Sequence, residues 1–177
     1  MRLYKIMSAL LEYPDQALKS AIPEIDGLLQ GEFALNAEES AVIRKFTDWM
    51  SGMDVTELQA SYVQTFDMTP DHSLHLTHHL FGDDRGRGPA LIDLTEYYKE
   101  YGMLADEKEL PDYLPLILEF ASTLDDVEAK VFLSQTVKVL TQLAQNLEKA
   151  ESPYAPLVRI IEKRGQFVSP NGAQISA

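Results

Sequence analysis

The chain has 177 residues, 45% of them hydrophobic, which suffices for one domain with a true core and argues against disorder of the whole chain. A formal net charge of -13 repels phosphate backbones and anionic lipid surfaces, so neither nucleic acid nor direct membrane insertion is expected. A basic peptide would be attracted, although acidic charge also simply keeps a protein soluble. The absence of cysteine excludes disulfides, thiolate metal sites, iron–sulfur ligation and a cysteine nucleophile.

The basic start Met1-Arg2-Leu3-Tyr4-Lys5 is followed by Glu12 and Asp15 without a small-residue cleavage site, and is not read as a signal peptide. No apolar run approaches the roughly 18 residues that cross a bilayer. A cytoplasmic location is the resulting expectation. Leu3, Ile6, Met7, Leu10 and Leu11 share one face of a first helix, which Tyr13-Pro14-Asp15 breaks. A second stripe, Leu18, Ile22, Ile25, Leu28 and Leu29, ends at Gly31. Asn36 with Glu39 and Asp54 with Glu57 read as capping boxes. After Asp54, Val55, Leu58, Tyr62 and Phe66 repeat at helical spacing until Asp67-Met68-Thr69-Pro70-Asp71 interrupts them.

A short helix is expected from His72 to Phe81, stopped by Gly82. The stretch from Gly82 to Gly88 has no periodicity and reads as a loop, with Pro89 placed to open the next helix. Leu91, Leu94, Tyr98 and Tyr101 line that helix and Gly102 can end it. Asp112 can cap a helix with Pro115 in its tolerant first turn and Leu114, Ile117, Leu118 and Ala121 on its face. One long helix is expected from about Asp126 to Ala150, with Phe132, Thr136, Val139, Leu140, Leu143 and Leu147 as its buried edge. Ser152-Pro153 starts a last helix carrying Tyr154, Leu157, Val158 and Ile161. The expectation is an all-α fold: a single-domain bundle of about seven to nine helices over residues 1–164, with a flexible tail over 165–177.

Several residue groups could carry chemistry. His72, His75, His78 and His79 crowd one segment, and His75 and His79 stand four apart, a spacing that can chelate zinc. No Glu follows His75 and no third ligand is specified, so a polar face with one bonded histidine is the competing reading. Neither a metal site nor a resident cofactor is expected. No nucleophile elbow, phosphate loop or dinucleotide fingerprint is present. Arg85 and Arg87 can bind an anion or pair with nearby aspartates. Glu109-Leu110-Pro111-Asp112-Tyr113-Leu114-Pro115 has two prolines and an acidic cap, which rigidify either an ordinary helix start or a fixed rim for a peptide.

Taken in order, these segments resemble the NarJ family of nitrate reductase delta subunits. The residues that carry the resemblance are Leu10-Leu11-Glu12-Tyr13-Pro14, Tyr62-Val63-Gln64-Thr65-Phe66-Asp67, then His79, Gly82 and Arg85-Gly86-Arg87-Gly88. Leu94, Tyr98, Gly102, the run from Glu109 to Pro115, and Leu118-Glu119-Phe120 continue it. The resemblance implies the all-helical fold of the TorD and DmsD chaperones. It also implies a non-enzymatic role: binding the N-terminal peptide of the respiratory nitrate reductase catalytic (alpha) subunit in the cytoplasm while the molybdenum cofactor is inserted. The wider family's Glu-x-x-Pro-Asp-(His/Tyr) motif falls on Glu109, Pro111, Asp112 and Tyr113, with one residue between Glu109 and Pro111 where the motif has two. The peptide-binding residues expected on this basis are Tyr62, Phe66, Asp67, Arg87, Tyr98, Glu109, Pro111, Asp112 and Tyr113. From the residues alone two other readings stay open: a metal-dependent helical hydrolase using the segment His72 to His79, and a structural scaffold subunit.

Overall fold

The computed structural model describes residues 2–29, 35–82, 84–103 and 109–166. The expected helix end at Gly31 and nearly all of the expected tail lie outside the described residues. Among those described there are ten α-helices and no strand. They are α1 (Arg2–Leu11), α2 (Gln16–Leu29), α3 (Ala37–Ser51), α4 (Val55–Tyr62), α5 (Leu76–Phe81), α6 (Arg87–Glu100), α7 (Leu114–Thr123), α8 (Asp126–Ser134), α9 (Val137–Lys149) and α10 (Ala155–Gly165).

Local chemistry sets most of the starts. Asn36 and Asp54 each accept a hydrogen bond from the amide three residues on, while Glu39 and Glu57 reach back to the cap amides. Asp125 and Glu128 make a third box at α8. The long helix expected from Asp126 to Ala150 is two helices, because Gln135 and Thr136 break it. There the Ser134 and Thr136 hydroxyls donate to the Val131 and Leu133 carbonyls, offering the backbone an alternative to helical pairing. The helix expected from His72 to Phe81 is shorter as well. A 3-10 turn covers Pro70–His72, extended backbone follows, and α5 begins only at Leu76. Pro89 does not open α6, which starts two residues earlier at Arg87. The split at Gln135 and Thr136 alone takes the described count to ten, one above the upper end of the expected seven to nine.

The core runs along the whole bundle. α1 buries Leu3, Tyr4, Ile6, Met7, Leu10 and Leu11 and lies on α7, where the Ser8 hydroxyl donates to the Pro115 carbonyl at 2.8 Å. α9 supplies Val139, Leu140, Leu143, Ala144 and Leu147 to a second contact with α10, which buries Leu157, Val158, Ile160 and Ile161. α10 is tied to α3 by Arg164, whose guanidinium reaches the Glu39 carboxylate at 2.6 Å. Between α4 and the 3-10 turn, Val63–Asp67 widens into a π-helix, a local irregularity that recurs at functional sites.

Candidate functional site

The rim entering α7 is built around Asp112, which is 1% exposed. It does not cap α7 as expected: Tyr113 holds the N-cap position without a side-chain bond. The carboxylate turns instead to α5. Its Oδ2 accepts from the Thr77 amide at 3.0 Å and from the Thr77 hydroxyl at 2.5 Å. Thr77 is the second residue of α5, so Asp112 caps that helix from 35 residues away. Arg87 Nε donates to Thr77 Oγ1 at 3.0 Å, and its Nη2 stands 3.7 Å from Asp112 Oδ2. His75 Nδ1 stands 3.3 Å from Asp112 Oδ1. Of the two readings open for Arg87, pairing with an aspartate is the one observed, with Asp112 as the partner.

The backbone reinforces the same junction. The Leu76 amide donates to the Asp112 carbonyl at 3.0 Å and the Leu114 amide to the Leu74 carbonyl at 2.8 Å, which pairs His75 with Tyr113 in an isolated antiparallel bridge. Burial by itself would raise the Asp112 carboxyl. The hydrogen bonds from His75 and Thr77, with the charge of His75, outweigh it and hold the group below the ordinary carboxylate range. Asp112 is therefore a charged, fully engaged anchor.

The aromatic residues expected to wall a groove are core residues. Tyr98 is fully buried and donates its hydroxyl to the Pro111 carbonyl at 2.8 Å. The Tyr62 and Tyr113 hydroxyls lie 2.8 Å apart, and Tyr62 also donates to the Leu11 carbonyl at 3.1 Å. Phe66 is buried between the rings of Tyr62 and Tyr154. Burial raises the Tyr62, Tyr98 and Tyr113 hydroxyls far above the usual tyrosine range, so all three stay neutral. Pro111 is buried too, Arg87 is half-buried, and only Asp67 and Glu109 of the expected set face solvent.

What solvent meets here is a different group. Tyr13 is 47% exposed and packs edge-on against Tyr62, with ring centroids 5.5 Å apart. Met68 and Leu110, next in sequence to Asp67 and Glu109, are exposed as well. Glu12, Glu109 and Asp67 set a negative field at Tyr113. The protein crowding around Glu12, and then the charges of Glu109 and Glu119, push the Glu12 carboxyl up. Sequence reasoning missed Thr77 entirely. Tyr13 carried a signal, as an aromatic residue at a helix break beside a proline.

The histidines do not converge. His72 is buried with Nδ1 3.0 Å from the Thr65 carbonyl, His79 Nε2 lies 2.8 Å from the Ser73 carbonyl, and His75 faces Asp112. Among the described residues no group of three or more His, Asp or Glu is placed to hold a metal ion. No described helix is long and apolar enough to cross a membrane.

Side chains at this site fix helices against one another, in a fold that is all-helical among the described residues. A family model described as nitrate reductase delta subunit matches residues 32–159. The chain is 35% identical over 158 residues to the nitrate reductase molybdenum cofactor assembly chaperone NarJ of Escherichia coli K12, covering 89% of this chain and 67% of that one. It is 33% identical over 158 residues to the probable chaperone NarJ of Bacillus subtilis, covering 89% and 85%. It is 32% identical over 170 residues to the probable chaperone NarW of Escherichia coli K12, covering 96% and 71%. The chain belongs to the nitrate reductase delta subunit family, and is a NarJ-type assembly chaperone, not an enzyme.

Proposed function

We propose that this chain supports assembly of a respiratory nitrate reductase by binding the N-terminal peptide of its catalytic (alpha) subunit in the cytoplasm, so that molybdenum cofactor can be inserted before the complex matures. The observation that supports this reading is the match to a relative named as a nitrate reductase molybdenum cofactor assembly chaperone, at 35% identity across 89% of the chain. The rim gives it a physical form. Tyr13, Met68 and Leu110 offer exposed apolar contact, and Glu12, Asp67 and Glu109 add a field that attracts a basic, amphipathic helix. Tyr62, Phe66, Pro111, Asp112 and Tyr113 hold that surface in shape from beneath.

Calorimetry with a synthetic peptide of the catalytic subunit's first residues tests the reading. Tyr13→Ala should lose about 1–3 kcal/mol of binding, roughly 5- to 150-fold in affinity, with helicity unchanged. Raising the salt concentration should slow association more than it speeds dissociation. An unaltered protein that ignores the peptide overturns the reading.

A further inference from the structure

Fourteen residues of α6 bury one side chain, Tyr98. Its underside carries Leu94, Tyr97 and Tyr98, continued by Tyr101: positions i, i+3, i+4 and i+7, the spacing by which an amphipathic helix seats in an apolar groove. Beneath it lie Phe120 of α7 and Phe132 of α8. Tyr97 stacks on Phe132 with centroids 5.7 Å apart, Tyr98 meets Phe120 at 4.6 Å, and Tyr101 meets Phe120 edge-on at 5.4 Å. The exposed residues of α6 are charged apart from Gly88, Pro89 and Ile92, the last 64% exposed. Glycines with positive φ flank the helix, Gly82 at 53° and Gly102 at 76°. Two ties hold it down: Arg87 to Thr77 and Asp112, and the Tyr98 hydroxyl to the Pro111 carbonyl.

We propose that α6 is a built-in stand-in for the client helix: it covers an apolar groove between α7 and α8 that an incoming amphipathic helix occupies in its place. Tyr98 links this cover to the rim segment, since its hydroxyl donates to the Pro111 carbonyl next to Asp112. The proposal rests on the peptide-binding reading for its occupant and adds that the free protein is closed. A closed state lowers the apparent affinity by the fraction of molecules that are open, so weakening the cover strengthens binding.

Hydrogen exchange on the full chain, with and without the synthetic peptide, tests this. In the free protein the α6 amides should exchange together and about tenfold or more faster than those of α7. On peptide binding α6 should lose protection while α7 gains it. Tyr97→Ala removes a ring from the cover and none from the groove, and should bind the peptide up to roughly tenfold more tightly. Tyr98→Phe, which frees only the tie to Pro111, should move affinity the same way should Tyr97→Ala not fold. Exchange of α6 as slow as that of α7 in the free protein overturns the proposal. So does a folded Tyr97→Ala, or failing it Tyr98→Phe, that binds equally or more weakly. A parent protein that ignores the peptide sinks the peptide-binding reading alone, and the cover then stands or falls on the exchange of α6.

Discussion

α7 buries seven of its ten residues, from Leu114 to Ala121, and is walled by α1, α8 and the rings of α6. α6 buries Tyr98 and leaves half of its fourteen residues exposed. The two helices touch through the same aromatic cluster, yet that cluster is the heart of one and the edge of the other. A helix whose burial is shared among many side chains opens only with the whole fold. One held by a few rings and two polar ties can leave while the rest stays folded. On the proposal above, α7 belongs to the body of the protein and α6 is its removable cover.

The largest effect expected from this contrast is at Phe120, fully buried among Tyr97, Tyr98, Tyr101 and Phe132. Phe120→Ala should cost about 3–5 kcal/mol in urea unfolding, and a loss below about 1 kcal/mol would break the assignment of α7 to the body. Gly165 tests the other end of the body. A Cβ there would meet the Leu133 carbonyl oxygen at 2.9 Å and Val137 Cγ2 at 2.8 Å. Because backbone cannot yield cheaply, Gly165→Ala should destabilise by about 1–3 kcal/mol.

Acid separates the two regions in a further way. Asp112 and Glu39 both titrate below their ordinary values of 3.8 and 4.5, because hydrogen bonds and cationic partners outweigh the burial that would raise them. The unfolded chain therefore takes up these protons first. The stability they supply is complete above those values and is lost as pH falls through the lower folded ones. If Asp112 holds α6 down, hydrogen exchange of α6 should quicken with acid in the parent, and Asp112→Asn should abolish that acid dependence while leaving the one set by Glu39 in global unfolding. A variant whose α6 still opens with acid as the parent does would place the tie elsewhere.

Smaller effects fall on the cover. Gly102→Ala places a side chain at a φ of 76° and should cost about 1 kcal/mol, read as faster exchange confined to α6. Ile92→Ala, on the exposed face, should change stability by no more than about 0.5 kcal/mol. A larger loss there would mean that something rests on the outside of α6.

What sequence could and could not reveal follows the same division. The boxes at Asn36 and Asp54 were legible because donor and acceptor sit three residues apart. The periodic stripes in α1, α9 and α10 were legible because one face of each meets the core. The break at Gln135 and Thr136 was not, since no glycine or proline marks it and Phe132, Val139 and Leu140 keep their phase across it. Asp112 was recognisable as a cap, but its helix was not, because the partner amide lies 35 residues back in the chain. Tyr62, Tyr98 and Tyr113 could be read as aromatic and important. Whether they faced water depended on Leu11, Pro111 and Phe120, residues that only the folded chain brings to them.

The remote cap on α5 has a consequence for the order in which the molecule is made. Six residues are too few for a helix to persist alone, because nucleation is not recovered over so short a length. α5 therefore waits for Asp112, which a ribosome adds only after all of α6. Until then α5 lacks the carboxylate that holds its first turn. The junction of α5 with the rim is thus a late event in biosynthesis, and a chain halted before Asp112 would emerge without it.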